Sequence, residues 1–219
     1  MDEFQQIAEY PDKNVLELLR SYVQKCRHTW FICAGSDRRM MEKLFNNPSE
    51  PFYLSCSPLY LDAIPCETYL GFARKHFENS GRILQEDCFK QVYDLFEGHT
   101  WYVQRLMNEL YAWTSPGKEA DTEMLSAALS FVIKTYARTF QEQISIYPEA
   151  QKQLLIAIAK EGKAGQVTSA AFCKKHSLKS PSTVQSALRV LHNKGTVRKD
   201  GNIYSVTNRL FGIWISMEY

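Results

Sequence analysis

The chain has 219 residues, 45% of them hydrophobic and 13% aromatic, which excludes a disordered protein and gives enough apolar surface for one large or two to three small packed domains. Its net charge of +2 is unevenly spread: residues 148–219 carry 11 Lys+Arg against 4 Asp+Glu, a net of +7, and residues 1–147 are net −5. A basic C-terminal module on an acidic body suits a polyanionic or protein partner, and no run approaches the ~20 apolar residues of a membrane span.

Asp2 and Glu3 open the chain, followed by the breaker Tyr10-Pro11-Asp12. An amphipathic helix is then expected over Lys13–Lys25, with Val15, Leu18, Leu19 and Tyr22 at helical spacing. Thr29–Ala34 is short and continuously apolar, so it reads as a buried, parallel strand ending in Gly35-Ser36. Ser36 can cap the next helix, Asp37–Phe45, which Asn46-Asn47-Pro48 ends. Phe52–Leu54 and Leu59–Leu61 read as short extended segments. Residues 66–147 read as a helical bundle, with helices over Cys66–Asn79, Gln85–Glu97, Thr100–Trp113 and about Asp121–Ile146. Residues 148–219 start with a helix, Glu149–Lys160, and a short one near Ser169–Lys175. Ser180-Pro181 then opens a helix running to about Asn193. Thr196–Lys199 and Ile203–Val206 flank Asp200-Gly201-Asn202 as a tight hairpin, which gives a winged helix-turn-helix plan. Leu210, Phe211, Ile213, Trp214 and Ile215 are apolar enough to fold back on a core.

Cys26, Cys33, Cys56, Cys66, Cys88 and Cys173 show no C-x-x-C spacing, so they read as reduced, mostly buried thiols of a cytoplasmic protein. The acidic N-terminus does not read as a signal peptide.

Four constellations carry chemistry. The Asp2-Glu3 pair fits phosphoanhydride hydrolysis, in which one carboxylate holds magnesium and the other orients water. It equally fits two solvated acids. Ser36, at the tip of the adjacent strand, could hydrogen-bond the attacking water or a phosphate, or serve only as a helix cap. His99, in Gly98-His99-Thr100, stands at a helix start that could face an anionic or purine ligand, or be an ordinary junction. On the presumed recognition helix, Val184, Ala187, Leu188 and Leu191 face inward. Ser182, Gln185 and Arg189 then face outward, with Arg198 and Lys199 in the wing. Small polar residues plus Arg suit a major-groove reader, though winged helices also bind proteins.

Asp2-Glu3-Phe4-Gln5, Leu18-Leu19-Arg20, Phe31–Ser36, Gly98–Gln104, Gln153-Leu154-Leu155, Ser182–Leu191 and Phe211–Trp214 together resemble, in order and spacing, the archaeal-type ATPases of the STAND branch of the AAA superfamily. The resemblance covers nearly the whole chain. It implies a mainly α protein with a small α/β remnant. Residues 1–65 would be the C-terminal part of a P-loop nucleotide-binding domain, 66–147 a helical lid and 148–219 the winged helix. It also implies that Asp2 binds magnesium, Glu3 activates water, Ser36 is the first sensor and His99 contacts the nucleotide. The phosphate-binding G-x-x-x-x-G-K-[ST] loop is absent, and Thr100 replaces the usual lid proline. The expectation is therefore a C-terminal portion. ATP and Mg2+ would act in a full-length parent, and this chain alone would bind neither nor hydrolyse ATP. The expected partners are double-stranded DNA or a protein at the winged helix, with self-association and no membrane. The alternative is a winged-helix DNA-binding transcriptional regulator.

Overall fold

Two units divide the chain, Met1–Asp62 and Ala63–Tyr219, in a computed structural model that describes residues 1–12 and 14–219. Lys13, the expected first residue of the opening helix, lies outside the described residues.

The first unit is built on three rings. Phe4, Phe45 and Phe52 lie with centroids 5.6–5.9 Å apart, closed by Leu44. Phe4 starts a short 3-10 helix, Phe4–Glu9, and Phe45 comes from α2 (Arg38–Asn46). Between them α1 (Val15–Lys25) packs Leu16, Leu19 and Val23 against the rings. Leu18 and Tyr22, expected on the buried face, are exposed. With so small a core, α1 is covered along a narrow stripe one position away from the one the sequence suggests. The segment before α2 has no regular secondary structure, but two of its hydrogen bonds follow a parallel pattern around Met1 and Cys33. The Met1 amine donates to Ile32 O at 2.8 Å, and Ala34 N–H donates to Met1 O at 2.8 Å. Among the described residues no strand forms in this unit, so the expected buried strand Thr29–Ala34 is reduced to this one pairing. Trp30, Phe31 and Ile32 are therefore exposed, contrary to the expected burial. Phe52–Leu54 forms turns rather than an extended segment, because Leu54 adopts a left-handed φ of 49° and its N–H folds back onto Phe45 O.

The second unit begins with α3 (Cys66–Glu78), α4 (Glu86–Leu95), α5 (Thr100–Trp113) and the long α6 (Thr122–Ser145). A two-residue parallel ladder, β1 (Ile83–Leu84) with β2 (Glu119–Ala120), ties the chain before α4 to the chain before α6. It is too short to leave a sequence signal. The expected stripes Phe89, Val92, Phe96 and Val103, Leu106, Leu110 are buried. Phe72 is not: it meets His76 edge-on at the surface, with centroids 4.5 Å apart.

The winged helix follows as α7 (Glu149–Glu161), β3 (Ala164–Gly165), α8 (Ala170–Lys175), α9 (Pro181–Asn193), β4 (Val197–Asp200), β5 (Ile203–Val206) and α10 (Arg209–Glu218). The antiparallel order is β3-β5-β4. Ser180 caps α9 by accepting from Thr183 N–H, with Pro181 in the first turn. Gly201 supplies the positive φ of 56° at the first turn position of the β4–β5 hairpin. Leu154, Leu155, Ile158 and Leu191 are fully buried, and one continuous apolar cluster runs from Tyr69 to Ile215. Each such side chain contributes about 1.5–3 kcal/mol on burial. All six cysteines are free thiols. Two of them, Cys88 and Cys173, are buried, whereas Cys26 and Cys56 are exposed, so the expectation of mostly buried thiols is corrected.

Candidate functional site

In the first unit the pairing of Met1 with Cys33 puts the residues that follow each of them side by side. Glu3 accepts a 2.8 Å hydrogen bond from Ser36 Oγ through Oε2. The same oxygen accepts from the Gln5 amide, which also donates to Ser36 Oγ at 3.3 Å. Glu3 holds this position with a left-handed backbone, φ 46°. Gln5 is 6% exposed, and its Oε1 has no partner among the described residues. Gly35 makes room for it, since a side chain there would sit 2.6 Å from Met41 Sδ as well as against the Gln5 amide. Ser36 does not cap α2. Asp37 does, its carboxylate accepting from Met40 N–H at 2.9 Å. Nothing in the spacing marks Gln5 as a third member, because a glutamine two residues after an acid is not distinctive.

Asp2 is exposed and, among the described residues, accepts only from Glu3 N–H, at 3.0 Å. Among the described residues no group of three or more His, Cys, Asp or Glu could cage a metal ion.

In the second unit His99 is the residue before α5. It is exposed, with its ring 4.7 Å from Tyr102 and no side-chain cap to the helix. Beside it lies an ion cluster. Glu97, with φ 53°, receives Lys163 at 2.9 Å and Arg198 at 2.6 Å, together with Arg209. Burial pushes the Glu97 carboxyl up, but the hydrogen bonds from Lys163, Arg209 and Arg198 outweigh it and hold it at about 2. Tyr102 adds a contact by accepting from Arg209 N–H through its hydroxyl, at 3.3 Å. Arg198 is thus engaged with Glu97 and, through Nε, with Ser205.

The outer face of α9 is different. Val184, Ala187, Leu188 and Leu191 are buried, and Ser182, Gln185 and Arg189 are exposed. Gln185 and Arg189 make no side-chain bond among the described residues. Lys199 lies in the wing with Nζ 5.7 Å from the Tyr204 ring centroid.

Comparison with known proteins bears on the fold. A model of a probable winged helix domain matches residues 138–217. A solved structure of a Walker-type ATPase from Pyrococcus abyssi superposes with a TM-score of 0.63 at 15% identity, covering 98% of this chain. The chain spans 61% of that protein's length. No curated protein matches it. The fold is therefore mainly α, ends in a winged helix, and is similar to the fold of that Walker-type ATPase.

Proposed function

We propose that this chain is the rear part of an AAA/STAND-type ATPase, in which residues 1–62 complete a nucleotide site whose phosphate-binding loop lies outside these 219 residues. The observation that carries the reading is the Glu3–Ser36 hydrogen bond beside the Met1–Cys33 pairing. It sets a carboxylate and a hydroxyl at the ends of adjacent parallel segments, where open α/β sheets place their ligands. On the far edge of the same segment, the backbone groups of Phe31 and Cys33 make no hydrogen bond among the described residues, which leaves room for a further strand. Glu3 is the water-orienting carboxylate. Ser36 and the Gln5 amide hold it, and a phosphate or water entering the site would compete for the same hydroxyl. Asp2 would hold magnesium, which supplies charge neutralisation at the phosphates. By the resemblance, His99 is the residue of 66–147 that would contact the nucleotide in a full-length parent.

The test assays ATP hydrolysis by the 219-residue chain and by a chain extended through the upstream coding sequence. A G-x-x-x-x-G-K-[ST] motif is expected within ~100 residues before Met1. The extended chain should hydrolyse ATP, Glu3→Gln should cut its kcat by at least about 10²-fold, and the short chain should show no turnover. Absence of the motif, or Glu3-dependent turnover by the short chain, overturns the reading.

The winged helix is a contact module, and the exposed, unbonded Gln185 and Arg189 on α9 favour duplex DNA as its ligand. Arg189→Ala and Lys199→Ala should each weaken salt-dependent duplex binding several-fold, while capture of a protein with no duplex binding at low salt would favour a protein partner.

A further inference from the structure

Glu97 is a single carboxylate surrounded by three cations from three different elements. Lys163 precedes β3, Arg198 is in β4 and Arg209 opens α10. All three belong to the winged helix, whereas Glu97 ends the α4 segment of the bundle. Arg198 has an anchor besides Glu97, whereas the Lys163 ammonium and the Arg209 guanidinium have Glu97 as their ion-pair partner among the described residues. Arg198 is also held by the buried Ser205 at 3.0 Å, and the backbone of Arg209 is held by Tyr102. Arg209 is largely buried, with 15% of its side chain exposed, so it needs an anion in this place. Arg198 and Lys163 reach solvent, at 46% and 63%. Glu97 is aimed by a constrained turn. Its own φ is 53°, and Gly98 follows at 70°, where any Cβ would sit 2.7 Å from the Tyr93 ring. One negative charge against three positive ones leaves the cluster with a surplus of cation. A phosphate diester offers two oxygens in the same bidentate arrangement as a carboxylate.

We propose that Lys163, Arg198 and Arg209 form a phosphate-accepting site of the winged helix that Glu97 fills as an intramolecular stand-in, so that a duplex backbone must displace Glu97 before the wing engages it. The inference rests on the duplex-binding reading above. In the resting chain α9 is open to the major groove while the wing arginine is sequestered. Duplex affinity is then set by competition between Glu97 and a backbone phosphate.

The experiment measures binding of a fluorescein-labelled duplex by the full chain across a salt series, for wild type, Glu97→Gln, Glu97→Gln/Arg198→Ala, Arg198→Ala and Glu149→Gln. Glu149 is exposed, so the last variant makes the same charge change away from the cluster. Glu97→Gln should bind about ten-fold more tightly, with the slope of log K against log salt steeper by about one to two contacts. Adding Arg198→Ala should remove the gain. Arg198→Ala alone should change wild-type affinity by less than about two-fold, because that side chain is already spent. This last measurement does not depend on how well Glu97→Gln folds. Wild-type binding that Arg189→Ala weakens, with no gain from Glu97→Gln or an equal gain from Glu149→Gln, overturns the latch and leaves the duplex reading standing. A several-fold loss on Arg198→Ala alone has the same meaning. No binding by any variant overturns both.

Discussion

Phe211→Ala tests whether the helical bundle and the winged helix share one core. Phe211 is fully buried, with its ring 5.3 Å from Phe140 of α6 and 6.0 Å from Trp214 of α10. Phe140 and Trp214 are themselves 4% exposed and 5.9 Å apart, so no solvent-facing neighbour can swing in to fill the space. The expected cost is about 3–5 kcal/mol. With a urea m-value of about 2 kcal/mol/M, the midpoint should fall by about 1.5–2.5 M. Tryptophan fluorescence reads it. Trp30 is 97% exposed and reports little, Trp113 sits on α5 against Phe131, and Trp214 is buried on α10. Single-tryptophan forms retaining Trp113 or Trp214 should unfold at one midpoint and shift together. A shift seen by Trp214 while the Trp113 curve stays in place would refute the shared core.

Three further outcomes are expected. The carboxyl of Glu97, held near 2 in the folded chain against an ordinary value of 4.5, contributes stability that is full above its ordinary value and lost as pH falls toward 2. After discounting for solvent screening this is about 1–2 kcal/mol, and Glu97→Gln should flatten that limb of a pH series of urea midpoints. Gly98→Ala should destabilise the second unit by more than Gly117→Ala. Both glycines have positive φ, but only a Cβ at Gly98 meets a ring. Equal costs in thermal melts would contradict that account. Asp37→Ala should cost the first unit about 1 kcal/mol as a lost helix cap, whereas Ser36→Ala should leave the α2 circular dichroism signal intact.

The helices of the second unit were legible because their stripes are long and fully covered. Leu154, Leu155 and Ile158 repeat at helical spacing, and all three are buried. Caps added sharp boundaries, as at Ser180-Pro181. The first unit was harder to read because its core is small: Leu18 has the right spacing, yet nothing covers it. Very short ladders such as Ala164–Gly165 leave no periodicity at all. At the candidate site, the acid pair and Ser36 could be listed from the chain. That Ser36 turns to Glu3 while Asp37 takes over the capping follows from a parallel pairing over 31 positions of sequence, which no local pattern encodes. The Glu97 cluster was equally hidden, since its partners lie 66 to 112 positions downstream.

Trp30 and Ile32 stand in water next to main-chain amides that bond to nothing among the described residues. In a test tube such a margin is adhesive: a second copy can dock along it, covering indole and isoleucine while satisfying the idle amides. Preparations of this polypeptide should therefore clump as concentration rises, and a lysine placed at Ile32 should keep them dispersed in light scattering without touching the fold of the remainder.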